Sequence, residues 1–141
     1  MSVGLLLVTH GKLGHFLLEC VQEIIGPLPM AAEVLEVPRV QSHDQLIVQG
    51  RQMLARLDGG KGALILTDAF GSTPSNIANK LGDVTATPVI AGLNLPMLVR
   101  VFNYPQASSE ALVEIAVQGG QRGVFRCPRN GDSNQGQAGA A

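Results

Sequence analysis

Two apolar runs without alternation limit what this chain can fold into. Val3 to Val8 reads VGLLLV, and Gly62 to Thr67 reads GALILT. A strand with one wet face alternates apolar and polar residues. A continuous run suits a strand covered on both faces, as in a parallel sheet between helices. Both runs also end on titratable residues. The first stops at Thr9-His10-Gly11 and the second at Asp68. Each strand therefore delivers a reactive side chain to its carboxyl end.

The segments between them read as helices. Leu17, Val21, Ile24 and Ile25 predict one buried stripe on a helix from about Gly14 to Ile25, stopped by Gly26-Pro27. Glu33 to Val37 reads as a shorter strand ended by Pro38. Ser42-His43-Asp44-Gln45 has capping-box spacing, so His43 is a first-turn helix residue. Leu46, Gly50, Met53 and Leu57 carry that helix to Gly59-Gly60. After Asp68, Thr73 is the expected N-cap of a helix with Pro74 at its first position, and Ile77, Ala78 and Leu81 form its stripe. Thr87 to Ala91 is a fourth strand, and Pro88 marks it as an edge. Asn94 caps a helix from about Pro96 to Phe102. A last helix starts at Ser108 or Ser109, buries Leu112, Ile115, Ala116 and Gly119, and stops at Gly119-Gly120. Gly123 to Cys127 is expected to form a final short strand. From Pro128 the chain is polar and small, which predicts a disordered tail. The expected organisation is one domain over residues 1–127 and a tail over 128–141.

Strands alternating with helices define an α/β fold, an open and mainly parallel sheet with helices on both faces. Right-handed crossovers bring the carboxyl ends to one side, and ligands bind where the strand order reverses. With order 2-1-3-4, His10 and Asp68 face each other at that point. A carboxylate that holds one imidazole nitrogen fixes the tautomer and leaves the other nitrogen a lone-pair nucleophile. Helix starts nearby add N–H donors and a positive dipole end, worth roughly 0.3–1 kcal/mol to an anion at each terminus. Ser72, Thr73 and Ser75 add hydroxyls. The assembly pairs a nucleophilic histidine with an anion cradle, and a phosphoryl group is its natural occupant. The candidate catalytic residues are His10 and Asp68, and the candidate phosphate contacts are Gly11, Gly71, Ser72 and Thr73. The run Gly71-Ser72-Thr73-Pro74 is also simply a good helix start.

Other chemistries lack their marks. The chain has no P-loop, no dinucleotide fingerprint and no G-x-S-x-G elbow. No cofactor is implied. Cys20 and Cys127 have no metal spacing, and Cys20 falls in a helical pattern that predicts a small core residue. His10 and His15 are poorly spaced for a shared metal, and His15 is expected to face solvent. Net charge is −1 with ten scattered Lys and Arg, and aromatics make up 4%, which argues against nucleic acid. No run reaches the roughly 20 apolar residues of a membrane span, and the N-terminus lacks the basic region of a secretory signal. A reducing cytoplasm is expected, with only indirect membrane association.

With these residues in place, the chain resembles the IIA domain of the mannose family of the bacterial sugar phosphotransferase system. Three runs carry the resemblance: Thr9-His10-Gly11, Asp68-Ala69-Phe70-Gly71-Ser72-Thr73-Pro74-Ser75-Asn76, and Gly92-Leu93-Asn94-Leu95-Pro96-Met97-Leu98. It implies that His10 takes a phosphoryl group from the carrier protein HPr and passes it to a histidine of a IIB partner. Asp68 then orients His10, and Ser72 donates a hydrogen bond to the phosphate. The resemblance also implies a homodimer with C-terminal strands crossing between subunits, which gives Gly123 to Cys127 a place. Lys12 stands where sugar-transporting members often carry an aromatic residue. Any IIB is expected on a separate chain. Three other readings remain at this point: the phosphotransfer subunit of a dihydroxyacetone kinase system, a regulatory module read through its phosphorylation, and a plain anion-binding domain.

Overall fold

The computed structural model describes residues 2–131. Four strands, β1 (Gly4–His10), β2 (Ala32–Val37), β3 (Ala63–Thr67) and β4 (Val89–Ile90), form one parallel sheet in the order β2-β1-β3-β4. Five helices connect and cover them: α1 (Leu13–Ile25), α2 (His43–Leu57), α3 (Thr73–Thr85), α4 (Leu95–Phe102) and α5 (Ser109–Arg122). The α/β class and the order 2-1-3-4 expected from the sequence are those observed. None of these helices is long and apolar enough to cross a membrane.

Strand alternation divides the core between two faces. Leu5 and Leu7 of β1, with Leu64 and Leu66 of β3, pack against α1, α4 and α5 through Val21, Leu98, Phe102 and Leu112. Leu6, Val8 and Ile65 point the other way, onto Leu46, Ile77 and Leu81 of α2 and α3. Residues 5–8 of β1 are all fully buried, which is why the run shows no polar alternation. Each leucine enclosed this way contributes about 1.5–3 kcal/mol.

The departures from the sequence reading have local causes. β4 is only Val89–Ile90, at the edge that Pro88 marks; Pro88 accepts from Ile65 N–H at 3.0 Å but has no N–H to give. Ser72 rather than Thr73 precedes α3, and its hydroxyl bonds backward to Ala69 O at 2.6 Å instead of capping the helix. Ile24 is 57% exposed and Cys20 is exposed, so the buried face of α1 is narrower than its periodicity implies. The helix does not stop at Gly119-Gly120. It runs to Arg122 because the two glycines let α4 approach: a Cβ on Gly119 would lie 2.6 Å from Arg100 Cβ. Residues 124–131 carry neither helix nor strand, so the expected strand from Gly123 to Cys127 is not formed within this chain. Most of the expected tail, 132–141, lies outside the described residues.

Two contacts yield tests. Gly4 begins β1 where the end of α2 crosses it, and a Cβ there would sit 2.5 Å from Leu57 O. Gly4→Ala is expected to cost about 1–3 kcal/mol, the range for overpacking a filled site. Gly59→Ala, with nothing within 4 Å of its added Cβ, is the control; urea unfolding of both variants checks the difference. In the turn after α2, Asp58 Oδ1 accepts from Gly60 N and Gly62 N, both at 2.9 Å. The two backbone N–H groups hold this carboxyl below its ordinary value of 3.8, Gly60 contributing most. A lowered folded value gives stability that is complete above the unfolded value and is lost as pH falls through the folded one. Asp58→Asn is therefore expected to be less stable than wild type at neutral pH, with the gap closing in acid; unfolding titrations from pH 7 downward measure it.

Candidate functional site

The carboxyl ends of β1 and β3 are neighbours. The two strands are in register from Gly4 opposite Ala63 to Val8 opposite Thr67, so residues 10 and 68 emerge side by side. Thr67 Oγ1 donates to Val8 O at 2.7 Å and fastens the ends together. On the other side, Gly11 N donates to Val37 O at 3.1 Å and ties the turn after β1 to the end of β2. Gly11 has φ +43, a left-handed conformation in which glycine carries no Cβ penalty. Thr9 Oγ1 accepts from Gly14 N at 2.9 Å, which sets the start of α1.

Asp68 is 8% exposed, and three donors converge on it. Its Oδ1 accepts from Ala69 N at 2.8 Å. Its Oδ2 accepts from His10 N at 2.9 Å and lies 2.7 Å from His10 Nδ1. A carboxylate only accepts, so Nδ1 carries the proton. Nε2 is then the lone-pair nitrogen, on a ring that is 59% exposed. The ring opens into a cleft of about 450 Å³, lined by Gly11, Pro38, Arg39, Thr73 and Pro74 among others. That volume is large enough for a small tetrahedral anion.

The sequence-derived candidates divide here. His10 and Asp68 are bonded, and Gly11 and Thr73 line the cleft beside His10. Gly71 and Ser72 are otherwise engaged. Gly71 N donates to Ser75 Oγ at 3.3 Å, and the Ser72 hydroxyl donates to Ala69 O. Ser75 is fully buried and serves that turn rather than the cleft. His15 Nε2 lies 3.1 Å from Glu36 Oε1, which also takes Lys12 at 3.5 Å. His43 opens α2, where Ser42 Oγ accepts from Gln45 N at 3.4 Å. Among the described residues no group of three or more His, Cys, Asp or Glu could hold a metal ion. The third motif turns out to be scaffold. Gly92 N donates to Asp68 O at 2.6 Å, Leu93 N donates to Thr67 O at 3.0 Å, and Asn94 caps α4 through Met97 N at 2.9 Å. Arg39 in the cleft was not foreseen. Its signal is a basic residue just past the proline that ends the neighbouring strand.

A parallel α/β sheet with a carboxylate-held histidine at its carboxyl edge defines the class. The chain belongs to the mannose-type IIA family of the phosphotransferase system: residues 4–117 match the EIIA-man family model, described as the PTS system fructose IIA component. It is 33% identical over 127 residues to the PTS system mannose-specific EIIAB component of Escherichia coli (strain K12), across 88% of this chain and 39% of that protein. The chain thus spans well under half the length of that relative. The mannose/sorbose specific IIA subunit from Enterococcus faecalis superposes with a TM-score of 0.79 at 27% identity, covering 92% of this chain and 97% of that one. The component EIIA from Streptococcus agalactiae shares the fold at a TM-score of 0.74 and 21% identity, covering 89% and 97%. Membership gives the chain, in general terms, the role of a phosphotransferase component.

The tautomer of His10 is directly measurable. In ¹⁵N spectra of the neutral ring, Nε2 is expected to resonate as the unprotonated nitrogen. In Asp68→Asn the preference for Nδ1–H should weaken toward a mixture. A wild-type ring protonated at Nε2 would contradict the geometry.

Proposed function

We propose that His10 is the phosphoryl-carrying residue of this protein. The observation that carries the reading is the 2.7 Å contact from His10 Nδ1 to Asp68 Oδ2, which leaves Nε2 free on an exposed ring above an open cleft. In the forward step the Nε2 lone pair attacks the phosphorus of a phosphohistidine on HPr. The new P–N bond forms as the old one breaks, and its electron pair returns to the donor's imidazole nitrogen. The proton stays on Nδ1. The ring becomes a phosphoimidazolium, and the adjacent Asp68 carboxylate offsets its positive charge. The next step reverses this geometry toward a histidine of a IIB protein, or leaves the phosphorylated form to be read by a regulatory target.

Gly11, Gly71, Ser72 and Thr73 are assigned to the phosphoryl oxygens. Gly11 and Thr73 are supported by their place in the cleft. Ser72 takes this role once its hydroxyl turns from Ala69 O. Protein partners are supported by apolar side chains near the same end of the sheet: Phe16 is 58% exposed, Phe70 80% and Val40 88%. The same reading makes residues 1–127 one IIA domain, cytoplasmic and homodimeric. Exposed Val124 and Phe125, beyond the last helix, support a pairing of that segment with a second copy.

Incubation with phosphoenolpyruvate, the general phosphotransferase enzyme and HPr is expected to place acid-labile phosphate on the chain. His10→Ala should abolish the label, whereas His15→Ala and His43→Ala should retain it. Label that persists in His10→Ala would overturn the assignment.

A further inference from the structure

We propose that Arg39 is the cationic contact for the phosphoryl group on His10, an inference that rests on the phosphocarrier reading above. The site poses a charge problem. A phosphoryl group brings about −1.5 to −2 charges at neutral pH. Asp68, which orients the ring, is itself negative and close by. Imidazolium charge on His10 offsets only part of the total. Among the described residues, Arg39 is the one fixed cation lining the cleft.

Its surroundings leave it available. Among the described residues Arg39 makes no ion pair or side-chain hydrogen bond. Glu36, the nearest acid along the strand, is already matched by Lys12 and His15. The backbone leading to Arg39 is fixed. Val37 O accepts from Gly11 N, and Pro38 ends β2 with a fixed φ, so Arg39 leaves the sheet beside the turn that carries His10. A guanidinium presents a planar fork of donors that matches two phosphoryl oxygens, a geometry that a lysine cannot reproduce. As the phosphoryl passes between nitrogens, charge spreads over its three oxygens, and a cation at their rim stabilises that state. Arg39 would then touch the transferred group itself and not only the partner protein.

The test measures phosphorylation of the full chain from phosphorylated HPr, at several HPr concentrations, for wild type, Arg39→Ala and Arg39→Lys. Arg39→Ala is expected to lose roughly 10- to 100-fold in maximal rate, less than the loss of a buried oxyanion donor, because the site is open to water. The HPr concentration for half-maximal rate should not change, and Arg39→Lys should recover part of the loss. In ³¹P spectra of the phosphorylated proteins, the second ionisation of the phosphoryl group should move to higher pH in Arg39→Ala. A maximal rate equal to wild type overturns the inference alone, since labelled wild type leaves the carrier reading intact. A defect confined to the half-saturating concentration also overturns it, because Arg39 would then be a docking residue. A wild-type chain that takes no label removes both.

Discussion

The functional end of this molecule depends on the pairing of β1 with β3. Strands that are first and third in sequence lie side by side, and their register brings His10 and Asp68 out together. Neither side chain has to travel. The strand that ends at His10 is buried throughout its middle, so the ring stands on a mount fixed by the core. A change that moved β1 by one residue would turn Leu5 and Leu7 to the opposite face and carry His10 away from its carboxylate. Folding and site geometry are therefore one constraint.

Around that pairing, backbone hydrogen bonds hold the strand ends. Gly11 is bonded to β2, Thr67 to β1, and the segment after β4 is bonded to the carbonyls of Thr67 and Asp68. Three different connections thus close on the same few residues. The Asn94 side chain extends the arrangement to α5, since it donates to Gly120 O at 3.2 Å while capping α4. The run from Gly92 to Leu98 does not line the cleft, yet it braces the backbone of Asp68 from behind.

Much of this was legible in the residues. Unalternating runs gave buried strands, and the alternation of strands with helices gave the sheet. The pairing of His10 with Asp68 followed from the strand order. What escaped depends on neighbours rather than on period. A helical stripe says which residues share a face, not how far the next element covers it, so Ile24 and Cys20 read as core and are exposed. Glycine pairs read as stops, but Gly119 and Gly120 continue α5 because Arg100 and Met97 of α4 fill the space where their side chains would be. The segment 123–127 has strand-like residues, yet among the described residues it joins neither edge of the sheet. Arg39 escaped because one basic residue past a proline is a signal too slight to read alone; only the cleft gives it meaning.

One detail of the carboxylate contact reaches further. Asp68 Oδ2 accepts from two groups of the same residue, the backbone N–H and the imidazole of position 10. The backbone bond needs no particular side chain. Position 10 can therefore change identity while the strand end stays anchored. In evolutionary terms, the chemistry proposed for this site can be lost without loss of the architecture. A descendant without the histidine would keep the cleft and its apolar surroundings, and selection could retain it as a recognition surface alone.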